Sequence, residues 1–187
     1  MQKASKENKM LELFFNEPTK HWHFENILNE SSLSRDKANK WLKRFLEKKL
    51  IKKIKLKGKM PYYIGNHEHP NYRNKKKLYA LTQFYESGLF NHLQSLKNAK
   101  TVILFGSMVR SDWYSESDID LFIYGDDDDF EIGKYELKLK REIQLFNAKN
   151  KKKLRKMGMG LVQNIIQGYF IKGTIDNLGV ELKCLNS

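Results

Sequence analysis

Apolar positions recur at helical spacing through the first fifty residues. Met10, Leu11, Leu13, Phe14 and Phe15 form a stripe over residues 6 to 16 that predicts a helix stopped by Pro18. A second short helix is predicted from near His23, carrying Phe24, Ile27 and Leu28, and Ser31-Ser32 breaks it. The third starts at Ser34, a good N-cap, with Asp36 in the first turn where the helix dipole favours negative charge. Its inward face is Ala38, Trp41, Leu42, Phe45 and Leu46, and its other face is Arg35, Lys37, Asn39, Lys40, Lys43 and Arg44. The period then shortens. IKKIKLKGKMPYYIG predicts two short strands around Gly58-Lys59, with Ile51, Ile54, Leu56, Tyr63 and Ile64 available to one face and lysines to the other.

Residues 67 to 75 read as a polar linker containing Pro70, and Leu78, Leu81, Phe84, Tyr85, Leu89, Leu93 and Leu96 predict one helix from Lys75 to about Leu96. Val102 to Phe105 is an apolar run of strand length, followed by a Gly106-Ser107 turn, a short helix, a loop and a second strand opening at Asp118-Ile119-Asp120-Leu121. Gly125 and Asp126 to Asp129 end that strand as a loop and as the acidic start of the next helix, Phe130 to Arg141, with Gly133 a weak spot. Glu142 to Ala148 predicts a third strand, Lys149 to Met157 a basic helix start, Leu161 to Gln167 a helix, and Tyr169 to Lys172 and Val180 to Cys184 two short strands; Gly158 and Gly160 are expected to loosen the chain. Helices followed by strands interleaved with helices place the chain in the α+β class, its C-terminal part a mixed α/β sheet. The organisation expected is a head over 1–66, a linker and connecting helix over 67–98, and a sheet domain over 99–187.

Charge separates the two halves. Residues 1 to 99 hold 21 Lys/Arg against 9 Asp/Glu, a net of +12, whereas residues 100 to 187 hold 14 against 13, a net of +1. Residues 35 to 59 alone contain 12 Lys/Arg with only Asp36 and Glu47. The head is therefore the expected polyanion binder. No window approaches the ~18 apolar residues of a membrane helix, and MQKASKENKM has no apolar signal core behind it. With the single cysteine, Cys184, this predicts a cytoplasmic protein with no membrane partner. His67, Glu68 and His69 stand in a loop without a partner cluster and are expected to be solvated rather than metal ligands.

The chemistry concentrates in 102 to 124, VILFGSMVRSDWYSESDIDLFIY. Glycine lets the backbone turn sharply and approach a ligand. On a strand Asp118 and Asp120 share one face while Ile119 and Leu121 share the other. Two adjacent same-face carboxylates repel unless a cation sits between them, and Mg²⁺ takes carboxylate and phosphate oxygens. LFGS, a ten-residue spacer and DIDL together resemble the signature of the DNA polymerase beta-like nucleotidyltransferase superfamily. The spacer MVRSDWYSES is similar to that of its small stand-alone members, with Arg110 where they carry a basic residue.

The order helix, helix, turn, basic helix, hairpin over roughly 6 to 66 resembles the winged helix-turn-helix domain. That resemblance implies DNA as a partner. Ser34, Arg35, Lys37, Asn39 and Lys40 would meet base edges, Lys43 and Arg44 would extend the basic face, and Lys55, Lys57 and Lys59 of the wing would lie near phosphates. A protein-protein or dimerisation role for the same module stays open. The helix from Lys75 is expected to connect the head to the sheet domain, and a homodimer interface is the alternative use left open.

The nucleotidyltransferase resemblance implies transfer of a nucleoside monophosphate from a nucleoside triphosphate to a hydroxyl, with Mg²⁺ or Mn²⁺ as cofactor. Gly106, Ser107 and Arg110 would hold the nucleotide, and Asp118 and Asp120 would hold metal. A third carboxylate on a neighbouring strand would act as general base. Gln144 occupies the centre of the matching face, so Glu142 at its start is the candidate, with Asp176 and Glu181 more distant. Three readings are open: an active nucleotidyltransferase with a DNA-binding head, a DNA-binding regulator whose second domain senses nucleotide with little turnover, or an interaction protein acting beside a toxin-type partner.

Overall fold

The computed structural model describes residues 6–179. The expected strand at Val180 to Cys184, and with it Cys184 and Glu181, lies outside the described residues. The chain divides into two compact units, residues 1–79 with 111–116, and residues 80–110 with 117–187.

The N-terminal unit is built from α1 (Lys6–Asn16), α2 (Phe24–Ser31), α3 (Arg35–Glu47), β1 (Ile51–Ile54) and β2 (Tyr62–Gly65). Met10, Leu11, Phe14 and Phe15 of α1 are buried, as are Ile27 of α2 and Ala38, Leu42 and Phe45 of α3, while Trp41 and Leu46 are half-buried. Ser32 enters the left-handed region at φ 52° and ends α2. Ser34 occupies the N-cap position of α3 with extended backbone, although its side chain makes no capping hydrogen bond. β1 and β2 pair antiparallel, Ile51 opposite Gly65 and Ile54 opposite Tyr62. Trp22 adds an antiparallel bridge to Tyr63, with its N–H donating to the Tyr63 carbonyl at 2.9 Å. Tyr63 is buried and Ile64 half-buried, since successive strand residues face opposite ways. Leu56 stays 48% exposed at the turn, outside the apolar face expected for it.

Three expectations are corrected between residues 67 and 96. The polar linker is helical from Pro70, where proline suits the first helical position because its missing N–H would be unsatisfied anyway. The single helix is two, α4 (Pro70–Glu86) and α5 (Leu89–Ser95), because Gly88 takes φ 84° and ends one run before the other starts. Leu78 and Tyr85, read as stripe residues, are exposed on α4. The division between the units falls within α4, between Tyr79 and Ala80.

The C-terminal unit holds a four-stranded sheet in the order β5-β4-β3-β6, made of β3 (Ala99–Phe105), β4 (Ile119–Gly125), β5 (Ile143–Ala148) and β6 (Tyr169–Lys172). β3 runs antiparallel to β4 and to β6, and β4 runs parallel to β5. One face carries Ile103, Phe105, Phe122, Tyr124 and Ala148 beneath Leu154, Ile165 and Leu178. Those last three come from α8 (Lys151–Lys156), α9 (Met159–Ile166) and a 3-10 turn, Ile175–Leu178. Val102, Leu104, Leu121 and Ile123 alternate to the opposite face and are also fully buried. The four-residue α6 (Ser107–Arg110) links β3 to the spacer, and α7 (Ile132–Leu139) precedes β5. The aspartate run forms a loop and does not enter α7, whose first turn carries no acidic residue. Gly160 lies inside α9, so Gly158, at φ 84°, alone breaks the chain there.

Candidate active site

β3 ends at Phe105 and Gly106 turns the chain at φ 71° into α6. Across the sheet, Phe105 stands opposite Asp120. A β-carbon placed on Gly106 would lie 1.9 Å from Asp120 Oδ2. The glycine thus makes room for a protein carboxylate as well as for a sharp turn. The Ser107 backbone N–H donates to the Asp120 carboxylate, Arg110 bears on it with positive charge, and Asp118 bears on it with negative charge. Burial, followed by the Asp118 charge, raises the Asp120 pKa above the usual aspartate range, against the opposing pull of Arg110 and the Ser107 amide. Gly106, Ser107, Arg110, Asp118 and Asp120 are therefore brought together.

The third carboxylate is a different matter. β4 and β5 set Asp120 opposite Gln144, so an amide occupies the place on the neighbouring strand nearest the second aspartate. Glu142 precedes β5 by one residue, where its carbonyl accepts the Ile119 N–H at 2.9 Å. It is exposed and borders a shallow groove with Gly133, Glu136, Leu137, Lys140 and Arg141. Asp176 lies in the 3-10 turn near Thr174, with Oγ1 to Oδ2 at 3.5 Å.

Asp126, Asp127 and Asp128 are the cluster of three carboxylates found among the described residues. They are loop residues tied to Lys149, which reaches Asp126 at 3.3 Å and Asp128 at 3.7 Å. A hydrogen bond shared by Asp126 and Asp128 pulls the first below the usual range and pushes the second above it.

In the N-terminal unit, Lys37, Asn39, Lys40 and Lys43 are exposed along α3, and Ser34 is exposed at its start. Arg35 pairs with Glu25 at 2.8 Å and lies 5.7 Å from the Phe24 ring centre, and Arg44 pairs with Glu7 at 3.3 Å. Lys55, Lys57 and Lys59 are exposed in the turn between β1 and β2. His69 accepts the Asn71 N–H through Nδ1 at 3.1 Å.

One arrangement escapes the sequence. The spacer segment 111–116 belongs to the N-terminal unit. Trp113 is 2% exposed there, with its ring 6.2 Å from that of Phe15 and stacked at 6.4 Å on Tyr79. A lone tryptophan in a polar spacer is the available signal, since a large ring in a loop usually needs a pocket.

Residues 89–172 match the family model described as Polymerase beta, Nucleotidyltransferase. The match opens at the first residue of α5 and closes at the last of β6, so it contains the whole sheet and the Gly106–Asp120 pair. It supports the nucleotidyltransferase superfamily for this stretch, which is just under half of the 187 residues. No curated protein and no solved structure matches the chain at a significant level. Among the described residues, no helix is long and apolar enough to cross a membrane.

Proposed function

We propose that the protein is a divalent-metal-dependent nucleotidyltransferase with a DNA-binding winged-helix head, moving a nucleoside monophosphate from a nucleoside triphosphate to a hydroxyl acceptor. The observation that carries this reading is the closeness of Asp118 to Asp120 beside the Gly106-Ser107 bend, inside the stretch that matches the nucleotidyltransferase family.

The donor set suits Mg²⁺ or Mn²⁺. Both side chains are hard oxygen donors, and the charge that Asp118 imposes on Asp120 is what a cation between them would relieve. When bound, the metal supplies charge neutralisation at the transferring phosphoryl group. Asp118 and Asp120 hold it. Gly106 leaves the space in which the Asp120 carboxylate sits, and the Ser107 N–H orients that carboxylate. The Ser107 hydroxyl and Arg110 bind triphosphate oxygens. Glu142 takes the proton of the acceptor hydroxyl, the role for which the Gln144 amide is chemically unsuited near neutral pH.

In the N-terminal unit, three helices followed by an antiparallel hairpin support the winged-helix reading. α3 enters the major groove with Ser34, Arg35, Lys37, Asn39 and Lys40, Lys43 and Arg44 continue its basic face, and Lys55, Lys57 and Lys59 meet the backbone.

A second reading, a DNA-binding regulator that holds nucleotide or a partner protein with little turnover, is favoured by one observation: Gln144, not a carboxylate, stands opposite Asp120. Incubation with each labelled nucleoside triphosphate, Mg²⁺ or Mn²⁺, and cell extract separates the two. Label transfer lost in Asp118→Ala/Asp120→Ala supports the enzyme; saturable nucleotide binding with no transfer supports the regulator.

A further inference from the structure

The hairpin of the N-terminal unit has an outer face that the α3 interface leaves unused. Trp22 bridges to Tyr63 and both side chains turn inward: Trp22 is 2% and Tyr63 8% exposed, and the Trp22 ring meets that of Phe14 edge-on at 6.4 Å. Side chains alternate along extended backbone, so the flanking His21, His23 and Tyr62 turn outward, with Ile54 opposite Tyr62 on the same side. There the His21 ring lies on the Tyr62 ring, 3.9 Å between centres and 21° between planes, and His23 meets Tyr62 edge-on at 6.1 Å. The Pro61 carbonyl accepts from His23 Nδ1 at 3.1 Å and fixes that ring. Tyr62 and Ile54 are half-buried while His21 and His23 are exposed, so the stack ends on an imidazole open to solvent. Met60, 76% exposed, leaves apolar surface uncovered at the adjoining turn.

Charge completes the surface. Residues 51–65 contain Lys52, Lys53, Lys55, Lys57 and Lys59, all exposed, and no carboxylate. The acids that reach this region are Glu68, paired with Lys52 at 3.4 Å, and Glu17, paired with Lys20 at 2.7 Å; such surface pairs are worth little and yield to a polyanion. Rings to stack on beside lysines for phosphate suit an unpaired nucleic-acid strand. A duplex keeps its base faces inside its own stack and has nothing to lay on an exposed ring, whereas unpaired bases each offer a π-face. We propose that the outer face of β1, β2 and residues 21–23 binds single-stranded DNA, with a base stacked on His21 over Tyr62 and the hairpin lysines on the phosphates. The choice of DNA rests on the winged-helix reading, in which the same head holds a duplex whose opened strand or unpaired end is at hand. The stacking platform itself does not depend on that reading.

The test uses the full chain with labelled oligothymidylate, RNA of the matching sequence and a blunt DNA duplex, read by fluorescence anisotropy and by the NMR signals of the His21 ring. His21→Ala and Tyr62→Ala are each expected to weaken oligothymidylate binding about tenfold, the worth of one stacked base, and to leave duplex affinity unchanged. His21→Phe and Tyr62→Phe keep a ring and should keep most of the binding. Lys55→Ala/Lys57→Ala/Lys59→Ala should lower the salt slope for oligothymidylate by about two. The His21 ring signals should shift upfield as oligothymidylate is added. Unchanged affinity in both alanine variants, or His21 signals that stay in place at saturation, overturns the platform. Equal losses for duplex and single strand overturn a separate single-strand face. RNA bound about tenfold more tightly than DNA, the mark of a 2′-hydroxyl contact, overturns the choice of DNA. Wild-type protein that binds single strands and no duplex overturns the winged-helix reading and leaves the platform standing, whereas duplex binding without single-strand binding does the reverse. Should Tyr62→Ala not fold, His21→Ala, at an exposed position outside the core, decides the matter.

Discussion

Gly106 and Asp120 occupy space that only one side chain can fill: a β-carbon on the first would stand 1.9 Å from Oδ2 of the second. Gly106 also sits at φ 71°, where L-residues with a β-carbon are strained. Gly106→Ala is therefore expected to push the carboxylate from its place and to destabilise the fold by about 1–3 kcal/mol. Thermal melting and nucleotide transfer check this together. A variant as stable and active as wild type would remove the link between bend and carboxylate.

Asp120 gives a pH dependence of definite sign. Its folded-state pKa is raised, so between the ordinary aspartate value and the raised one the folded protein holds more proton than the unfolded chain. The stability this supplies is complete below the unfolded pKa and is lost as pH rises through the folded one. Metal-free Asp120→Asn is thus expected to melt above wild type at neutral pH, with the gain shrinking toward about pH 4, while transfer is lost. Melting curves across that range decide it, and a variant less stable at neutral pH contradicts the raised pKa.

The strand opposite Asp120 offers an exchange of roles. Glu142→Gln is expected to lower transfer by roughly 10²–10⁴, the usual worth of a positioned base. Gln144→Glu in that background places a carboxylate opposite Asp120 and is expected to recover part of the loss. Single-turnover rates measure both, and transfer unaffected by Glu142→Gln would take the base away from Glu142.

DNA binding should weaken steeply with salt, because phosphate contacts release counterions. Lys40 and Lys43 are exposed on α3, and the surface pair of Arg44 with Glu7 is of a kind worth little, leaving Arg44 available. Lys40→Ala/Lys43→Ala/Arg44→Ala should reduce the slope of log affinity against log salt by about three. Fluorescence anisotropy at several salt concentrations would detect an unchanged slope, which would move the DNA interface off α3.

Local periodicity carries much of the fold. The stripe ending in Phe14 and Phe15 predicts a helix over 6 to 16, and α1 is Lys6–Asn16. The pattern of the neighbouring strand puts Gln144 on the matching face, and the register sets it opposite Asp120. The break at Gly88 is not legible, since Leu81, Tyr85, Leu89 and Leu93 keep helical spacing across it and a glycine conformation leaves no mark on that spacing. Pro70 reads as a linker residue because proline stops a helix and starts one equally well; the residues after it make the difference by packing as a helix.

The sequence by itself determined the elements and the chemistry they carry: a basic helix and hairpin in the first half, and a Gly-Ser bend with two strand-borne aspartates in the second. Those come from side-chain type and short-range period. Only the tertiary structure decided that Gly106 yields its space to Asp120 and that Lys76 donates to the Trp113 carbonyl. Each of these joins residues far apart along the chain, and pairing across such distances is set by sheet register and burial, which no local pattern encodes.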